Sequence, residues 1–292
     1  MAYEVIRIGS AVVAGAKVNE DSASARVDNR SNSALLIVSD GASGLSDRNL
    51  TDCESEAQWL ARGITDHFDA VFPEFKDIST ELVAAVASMR NSTVGQLLVS
   101  QEGIDPTAAI SIVHLIDDVV HIGSLGDCPI LVQFRTGEIR FLPGDRKLSA
   151  LDESAISYLR DTARARHISP RQARTYISNI LLENRQRANH HDGYWIADLS
   201  GAGLPHLAVT TYAAAEIRRV VVMSDGFRIG VGRGRPFPTW HSVLTALDNS
   251  DLPGMLKQVK SALLADPEWV EYPRISLCDD LSLAYLDLSE AY

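Results

Sequence analysis

Four acidic positions in the chain share one kind of setting: Glu20-Asp21, Asp40-Gly41, Asp225-Gly226 and Asp279-Asp280. Each lies beside an apolar run that reads as a strand, so each carboxylate is expected at a rigid strand terminus, where it can be aimed. Carboxylates that converge at sheet ends repel one another unless cations neutralise them. A ligand set made only of oxygen suits hard ions such as Mg²⁺ and Mn²⁺. The chemistry such a cluster supports is the binding of divalent cations that activate water. Asp-Gly is also an ordinary turn dipeptide, so one such position alone says little. Two apolar strands that each end in Ser-Asp-Gly, at 39–41 and 224–226, together with two acidic pairs, say considerably more.

The elements that must position these groups follow from apolar periodicity. Residues 3–13, Leu35–Val38, Ala108–Ile116, Val119–Ser124, Ile130–Phe134, Glu138–Leu142, Tyr194–Ala197, His206–Thr211, Arg219–Met223 and Leu281–Leu288 read as strands. Asp117-Asp118 and Thr136-Gly137 supply hairpin turns, so the four strands from 108 to 142 read as one antiparallel meander. Residues 54–70 read as an amphipathic helix with Asp52 as its N-cap, and 78–100 as one longer helix. Helices are also expected over 149–187 and 239–265. Strands and helices come in blocks, which predicts an α+β layered sandwich rather than a doubly wound parallel sheet. No internal repeat or linker divides the 292 residues, so one domain, with a helical insertion near 149–187, is expected.

Composition narrows the partners. Hydrophobic residues make up 46% and charged residues 22%, enough for an ordinary core. The formal net charge of −11 argues against general nucleic-acid binding, which needs a Lys/Arg surplus. The Arg-rich stretch Arg160–Arg187 reads as a solvated helical face. No apolar run approaches the roughly 18–20 residues of a membrane span, and the N-terminus lacks the pattern of a secretory signal. Three widely spaced cysteines, Cys53, Cys128 and Cys278, contain no Cys-x-x-Cys pair and read as free thiols in a reducing, cytoplasmic setting.

The series Asn19-Glu20-Asp21-Ser22, Val38-Ser39-Asp40-Gly41, Gly126-Asp127-Cys128, Met223-Ser224-Asp225-Gly226 and Asp279-Asp280-Leu281-Ser282 resembles, in order and surroundings, the metal-dependent serine/threonine protein phosphatases of type 2C. The compact bacterial-type branch is the nearer likeness, and the resemblance spans about residues 5–288. It implies a four-layer sandwich, two central antiparallel sheets flanked by helices on both faces, with two Mg²⁺ or Mn²⁺ ions at one end. By similarity, Asp21 and Asp40 bind or bridge the metals together with the Gly41 carbonyl, and Asp225 and Asp279 complete one of them. Glu20 holds metal-bound water, Asp280 supports from behind, and Asp127 matches an acid that binds a third, weaker ion. The implied reaction is hydrolysis of phosphoserine and phosphothreonine by a hydroxide that bridges the two metals. The implied partners are a phosphorylated protein and a cognate Ser/Thr kinase. Many members carry an Arg where this chain has Ala16, which leaves Lys17 as the nearby phosphate-binding cation, a point charge rather than a fork. Ala42 stands where eukaryotic members often have His, and Ile229 where some have an acid. Two alternatives stay open: a silent regulatory module that keeps the fold, and a phosphatase of small molecules.

Other features carry less. Cys128 reads as a buried small residue, and His190-His191 as solvated. Gly230–Gly234 lacks the Lys-Ser/Thr ending of a P-loop. Arg233 and Arg235 are candidates to touch a phosphoprotein from a loop near the site.

Overall fold

A computed structural model describes residues 3–15, 18–42, 49–100, 106–249 and 251–290. Its strands are β1 (Tyr3–Val13), β2 (Asp21–Asp28), β3 (Ser33–Ala42), β4 (Thr107–Ile116), β5 (Val119–Leu125), β6 (Ile130–Phe134), β7 (Ile139–Leu142), β8 (Ala208–Ala213), β9 (Ile217–Met223) and β10 (Leu281–Glu290). They form two antiparallel five-stranded sheets, ordered β1-β10-β9-β6-β7 and β2-β3-β4-β5-β8. The helices are α1 (Glu56–Val71), α2 (Ile78–Asn91), α3 (Thr93–Val99), α4 (Arg146–Arg166), α5 (Pro170–Ala173), α6 (Ser178–Arg185), α7 (Asp225–Arg228), α8 (Trp240–Asn249) and α9 (Leu252–Leu264).

The unbroken apolar runs in β3 and β9 are explained by burial on both faces. Leu36 and Val38 face Val220 and Val222 in the core between the sheets. Leu35 and Ile37 face outward onto Leu60, Ile64 and Phe68 of α1 and Leu82 and Val86 of α2. On the other side, Val221 and Met223 meet Val243, Leu256, Val259 and Leu263 of α8 and α9. The layers are therefore helix, sheet, sheet, helix, as the family resemblance implies. Each such side chain contributes about 1.5–3 kcal/mol by leaving water.

One sheet–helix contact is ionic. Arg219 of β9 and Asp287 of β10 are buried register partners. The Arg219 guanidinium donates to Asp287, to Asp248 of α8 at 2.6 Å and to the Leu244 carbonyl at 2.7 Å. Arg7 of β1 donates to Asp287 at 2.7 Å from the other side.

Several expectations need correction. The strands from 108 to 142 are not one meander: β4 and β5 pair in one sheet, β6 and β7 in the other, and the chain crosses between sheets near Gly126–Pro129. The helix over 78–100 is two, broken where Ser92 turns extended and its Oγ accepts the Gly95 N–H at 3.0 Å. The cap of α1 is Ser55, whose side chain accepts from Gln58 N, and not Asp52. Residues 194–197 make isolated bridges instead of a strand, because the Asn189 side chain takes the Ile196 N–H at 3.0 Å. Strand β2 was not expected at all.

The helices expected over 149–187 are α4, α5, a 3-10 turn Arg174–Ile177 and α6. Leu159, Ala163, Ala173 and Ile177 of these helices form a small core together with Trp269 from the segment after α9. The start of α4 is anchored beside the sheet crossover. Asp145 caps it by accepting from Lys147 N at 2.7 Å and Leu148 N at 3.2 Å, and its own N–H donates to the Gly126 carbonyl at 2.7 Å.

Candidate metal centre

Strand pairing brings the acidic positions together. In the β2–β3 ladder Asp21 stands directly opposite Asp40. In the other sheet β9 runs out into Ser224-Asp225, and β10 begins just after Asp279-Asp280. The Ser224 N–H donates to the Ser282 carbonyl at 3.1 Å and the Ser282 N–H to Ser224 Oγ at 3.0 Å, which lashes these two strand ends together. Asp127 sits in the crossover that links the sheets. The result is one cleft of about 460 Å³, bordered by Glu20, Asp40, Asp127, Asp225 and Asp279 and by the Gly41 backbone. Asp21 lies beneath it, 5% exposed.

The glycine after Asp40 serves close backbone packing. A Cβ on Gly41 would stand 2.6 Å from the Glu20 carbonyl oxygen and 2.8 Å from that of Ala57. On Gly226 it would meet the Asp280 carbonyl oxygen at 2.1 Å. Any larger residue would push the strand ends apart.

Asp280 holds the frame. One of its carboxylate oxygens accepts the Gly15 N–H and the other the Glu20 N–H, each at 2.6 Å. The loop that delivers Glu20 and Asp21 is thereby pinned to the start of β10. Two oxygens serve two donors, which an Asn could not do, since it offers a single acceptor atom.

The electrostatics follow from the crowding. Burial pushes the Asp21 carboxyl up to about 7, helped by repulsion from Asp280 and Asp225 and opposed by the hydroxyls of Ser282 and Ser224. Burial also raises Asp40 well above the carboxylate range, with repulsion from Asp21, Asp225, Asp279 and Asp127 added to it. Asp127 is raised in the same way, with Asp225 and Asp152 as neighbours. Neither carboxylate oxygen of Asp21 has a hydrogen bond of good geometry among the described residues. A buried carboxylate in that state is costly. Hard divalent cations, which take oxygen ligands, satisfy it and relieve the repulsion around it, so the donor set fits Mg²⁺ or Mn²⁺.

The helical insertion supplies groups that the sequence reading missed. Asp152 of α4 joins Asp127 and Asp225, with one carboxylate oxygen of each within 4.8 Å of the others. Burial and repulsion from Asp225 push Asp152 up to about 7. The signal was present: Leu148, Asp152, Ala155 and Leu159 fall on one helical stripe, and a carboxylate there is out of place on an apolar face. Arg174 and Arg185, read as part of a solvated face, line the cleft instead. Leu181, Asn184 and Arg185, spaced as one face of α6, all border it.

Lys17 and its neighbour Ala16 lie outside the described residues. Cys128 is buried, its thiol pushed up by burial and by the surrounding aspartates. His190 and His191 are exposed on a turn. Arg233 and Arg235 are not at the cleft, and Arg235 lies over the Tyr272 ring, 4.2 Å from its centroid.

A sequence profile described as Protein phosphatase 2C matches residues 8–263. No protein of curated function matches the chain in sequence. Among solved structures, serine/threonine phosphatase Stp1 from Staphylococcus aureus is similar at 12% identity and a TM-score of 0.56, over 97% of this chain and 95% of that one. The Mycobacterium tuberculosis serine/threonine phosphatase PstP/Ppp is similar at 15% identity and 0.54, over 98% and 100%. The catalytic domain of PstP in complex with 2 manganese ions is similar at 16% identity and 0.53, over 99% and 100%. At these identities the likeness is one of fold.

Proposed function

This chain belongs to the protein phosphatase 2C family, and from that premise we propose that it hydrolyses phosphoserine and phosphothreonine in proteins with the help of two Mg²⁺ or Mn²⁺ ions. The observation that carries the reading is the Asp21 carboxylate, buried beneath the cleft without a well-formed hydrogen bond and opposite Asp40 in the ladder. Bound divalent ions would supply the Lewis acidity that ionises a water near neutral pH and offsets charge on the phosphoryl oxygens.

The residues divide the work. Asp21, Asp40 and the Gly41 carbonyl would hold one side of the metal pair, and Asp225 and Asp279 the other. Glu20 borders the cleft for polar contact with the hydrated rim. Asp280 orients the loop that carries Glu20 and Asp21. Asp127, Asp152 and Asp225 are grouped for a third, weaker ion. The sandwich with the insertion acts as one catalytic domain. The substrate class implies an opposing Ser/Thr kinase, and the three free thiols agree with a reducing, cytoplasmic setting.

The PstP structure that holds 2 manganese ions supports the choice of metal. The alternative of a silent regulatory module has less support. Such a module has no need of clustered carboxylates whose repulsion opposes folding. Hydrolysis of p-nitrophenyl phosphate and of a phosphothreonine peptide should require Mn²⁺ and fall at least about a thousandfold in Asp40→Asn and Asp225→Asn. Full activity in either variant, or none in the Mn²⁺-loaded parent, would sink the proposal. Running small phosphorylated metabolites beside the peptide separates protein from small-molecule substrates.

A further inference from the structure

A phosphate ester that enters this cleft meets a wall of carboxylates on a protein of net charge −11. Bound metals would offset part of that charge, while the remaining phosphoryl oxygens need donors from the protein. Among the described residues the cationic side chains that line the cleft are Arg174 and Arg185, both from the helical insertion. Arg174 is engaged elsewhere: its Nε donates to the Ile275 carbonyl at 2.8 Å and Nη1 to Ser178 Oγ at 3.4 Å, which ties the insertion to the 275 loop.

Arg185 is placed differently. It ends α6, is half-buried, and donates from Nη2 to the carbonyl of Ala42, the residue directly after Asp40-Gly41. That bond holds the guanidinium over the turn that presents the metal ligands. Glu20, Asp40 and Asp152 are its electrostatic neighbours. The helix beneath it is steadied by Asn184, whose Nδ2 donates to the Leu151 carbonyl of α4 at 3.4 Å. A planar guanidinium so placed can take two oxygens of a tetrahedral phosphate at once, which an ammonium cannot.

We propose that Arg185 grips the phosphoryl group of the substrate, so that the insertion carries the phosphate-binding half of the site while the strand ends carry the metal half. The proposal rests on the phosphatase reading above. It also assigns the chemistry recognised: the phosphate monoester dianion itself, independent of the chain that bears it.

The test uses the full chain loaded with Mn²⁺ and the variants Arg185→Ala, Arg185→Gln and Arg185→Lys. Steady-state hydrolysis of p-nitrophenyl phosphate and a phosphothreonine peptide is measured, together with inhibition by inorganic phosphate, Mn²⁺ affinity by calorimetry and Tm. For Arg185→Ala, KM for both substrates and the inhibition constant of inorganic phosphate should rise together about ten- to hundredfold, with Mn²⁺ affinity and Tm close to the parent. Arg185→Lys should recover only part of the loss. A merely structural role would lower Tm or Mn²⁺ affinity and leave phosphate inhibition of the folded fraction unchanged, and that result overturns the proposal. If Arg185→Ala does not fold, Arg185→Gln gives the same readout. A parent that neither binds Mn²⁺ nor hydrolyses either substrate overturns the phosphatase reading instead. An active parent whose variants respond to phosphate as it does overturns only the grip.

Discussion

Asp21 is buried where water cannot reach its charge and where its neighbours oppose it. Its carboxyl is raised to about 7 against an ordinary 3.8. Between those values the folded, metal-free protein holds a proton that the unfolded chain has released. Its stability must therefore fall as pH rises through that window and stay low above it. Thermal denaturation of the metal-free protein should show a Tm lower by about 5–10 °C near pH 8 than near pH 5. Asp21→Asn should make that slope shallower, with Asp40, Asp127 and Asp152 supplying the rest, and raise Tm near pH 8, while Mn²⁺-dependent hydrolysis is lost. An unchanged slope in the variant would mean that other groups govern the acid-side stability. At this scale the acidic cluster was legible: Asp40, Asp225 and Asp279 border one cleft with Asp21 beneath it, all four singled out from their strand-end settings, while Asp127, which joins them, came from the family resemblance. Asp152 and Arg185 were not legible, because their role depends on how a separate helical segment folds back over the strand ends.

The elements read well where one physical cause dominated and poorly where two competed. β3 and β9 are apolar without interruption because both faces are covered; β9 begins two residues before the expected Arg219, while β3 extends the expected Leu35–Val38 to Ser33–Ala42. β2 was missed: Asp21–Asp28 runs Asp-Ser-Ala-Ser-Ala-Arg-Val-Asp, with small residues where a strand signal needs branched or aromatic ones. The sequence points to Asp52 as the cap of α1, yet residues 49–53 turn on themselves. Asn49 donates to the Cys53 carbonyl at 2.6 Å and Thr51 Oγ1 accepts the Cys53 N–H at 3.1 Å. The helix can start only after that loop closes, at Ser55. Ser55→Ala should therefore cost about 1 kcal/mol in urea denaturation, and Asp52→Ala nearly nothing. The reverse order of costs would restore Asp52 as the cap.

For the whole molecule, the blocks of strands and helices pointed to an α+β sandwich and the family resemblance to its four-layer order, but the partition of strands between sheets was not legible. The hairpins β4–β5 and β6–β7 look continuous along the chain and are separated by the turn at Gly126–Pro129. Nothing local marks that turn as a change of sheet. The ionic contact around Arg219 was equally hidden, since Arg7, Arg219, Asp248 and Asp287 come together only in the finished fold. Arg219→Met should leave Asp287 buried and short of a partner, at a cost of about 3–5 kcal/mol. Calorimetry should show Tm lower by roughly 10 °C. The contact lies at the opposite end of β9 from Asp225, so kcat/KM measured well below Tm should stay near the parent value. A large loss of activity in the folded variant would show that the network reaches the cleft.

The small core that Leu159, Ala163, Ala173 and Ile177 of the insertion form with Trp269 stands apart from the clusters that bind the sheets to their own helices. The side chains of α4–α6 that meet only this small core can change without disturbing the strands that end in aspartate, provided Asp152 and Arg185 keep their places at the cleft. Selection, or a designer, could vary those outward positions freely, as an exchangeable skin over fixed cleft groups.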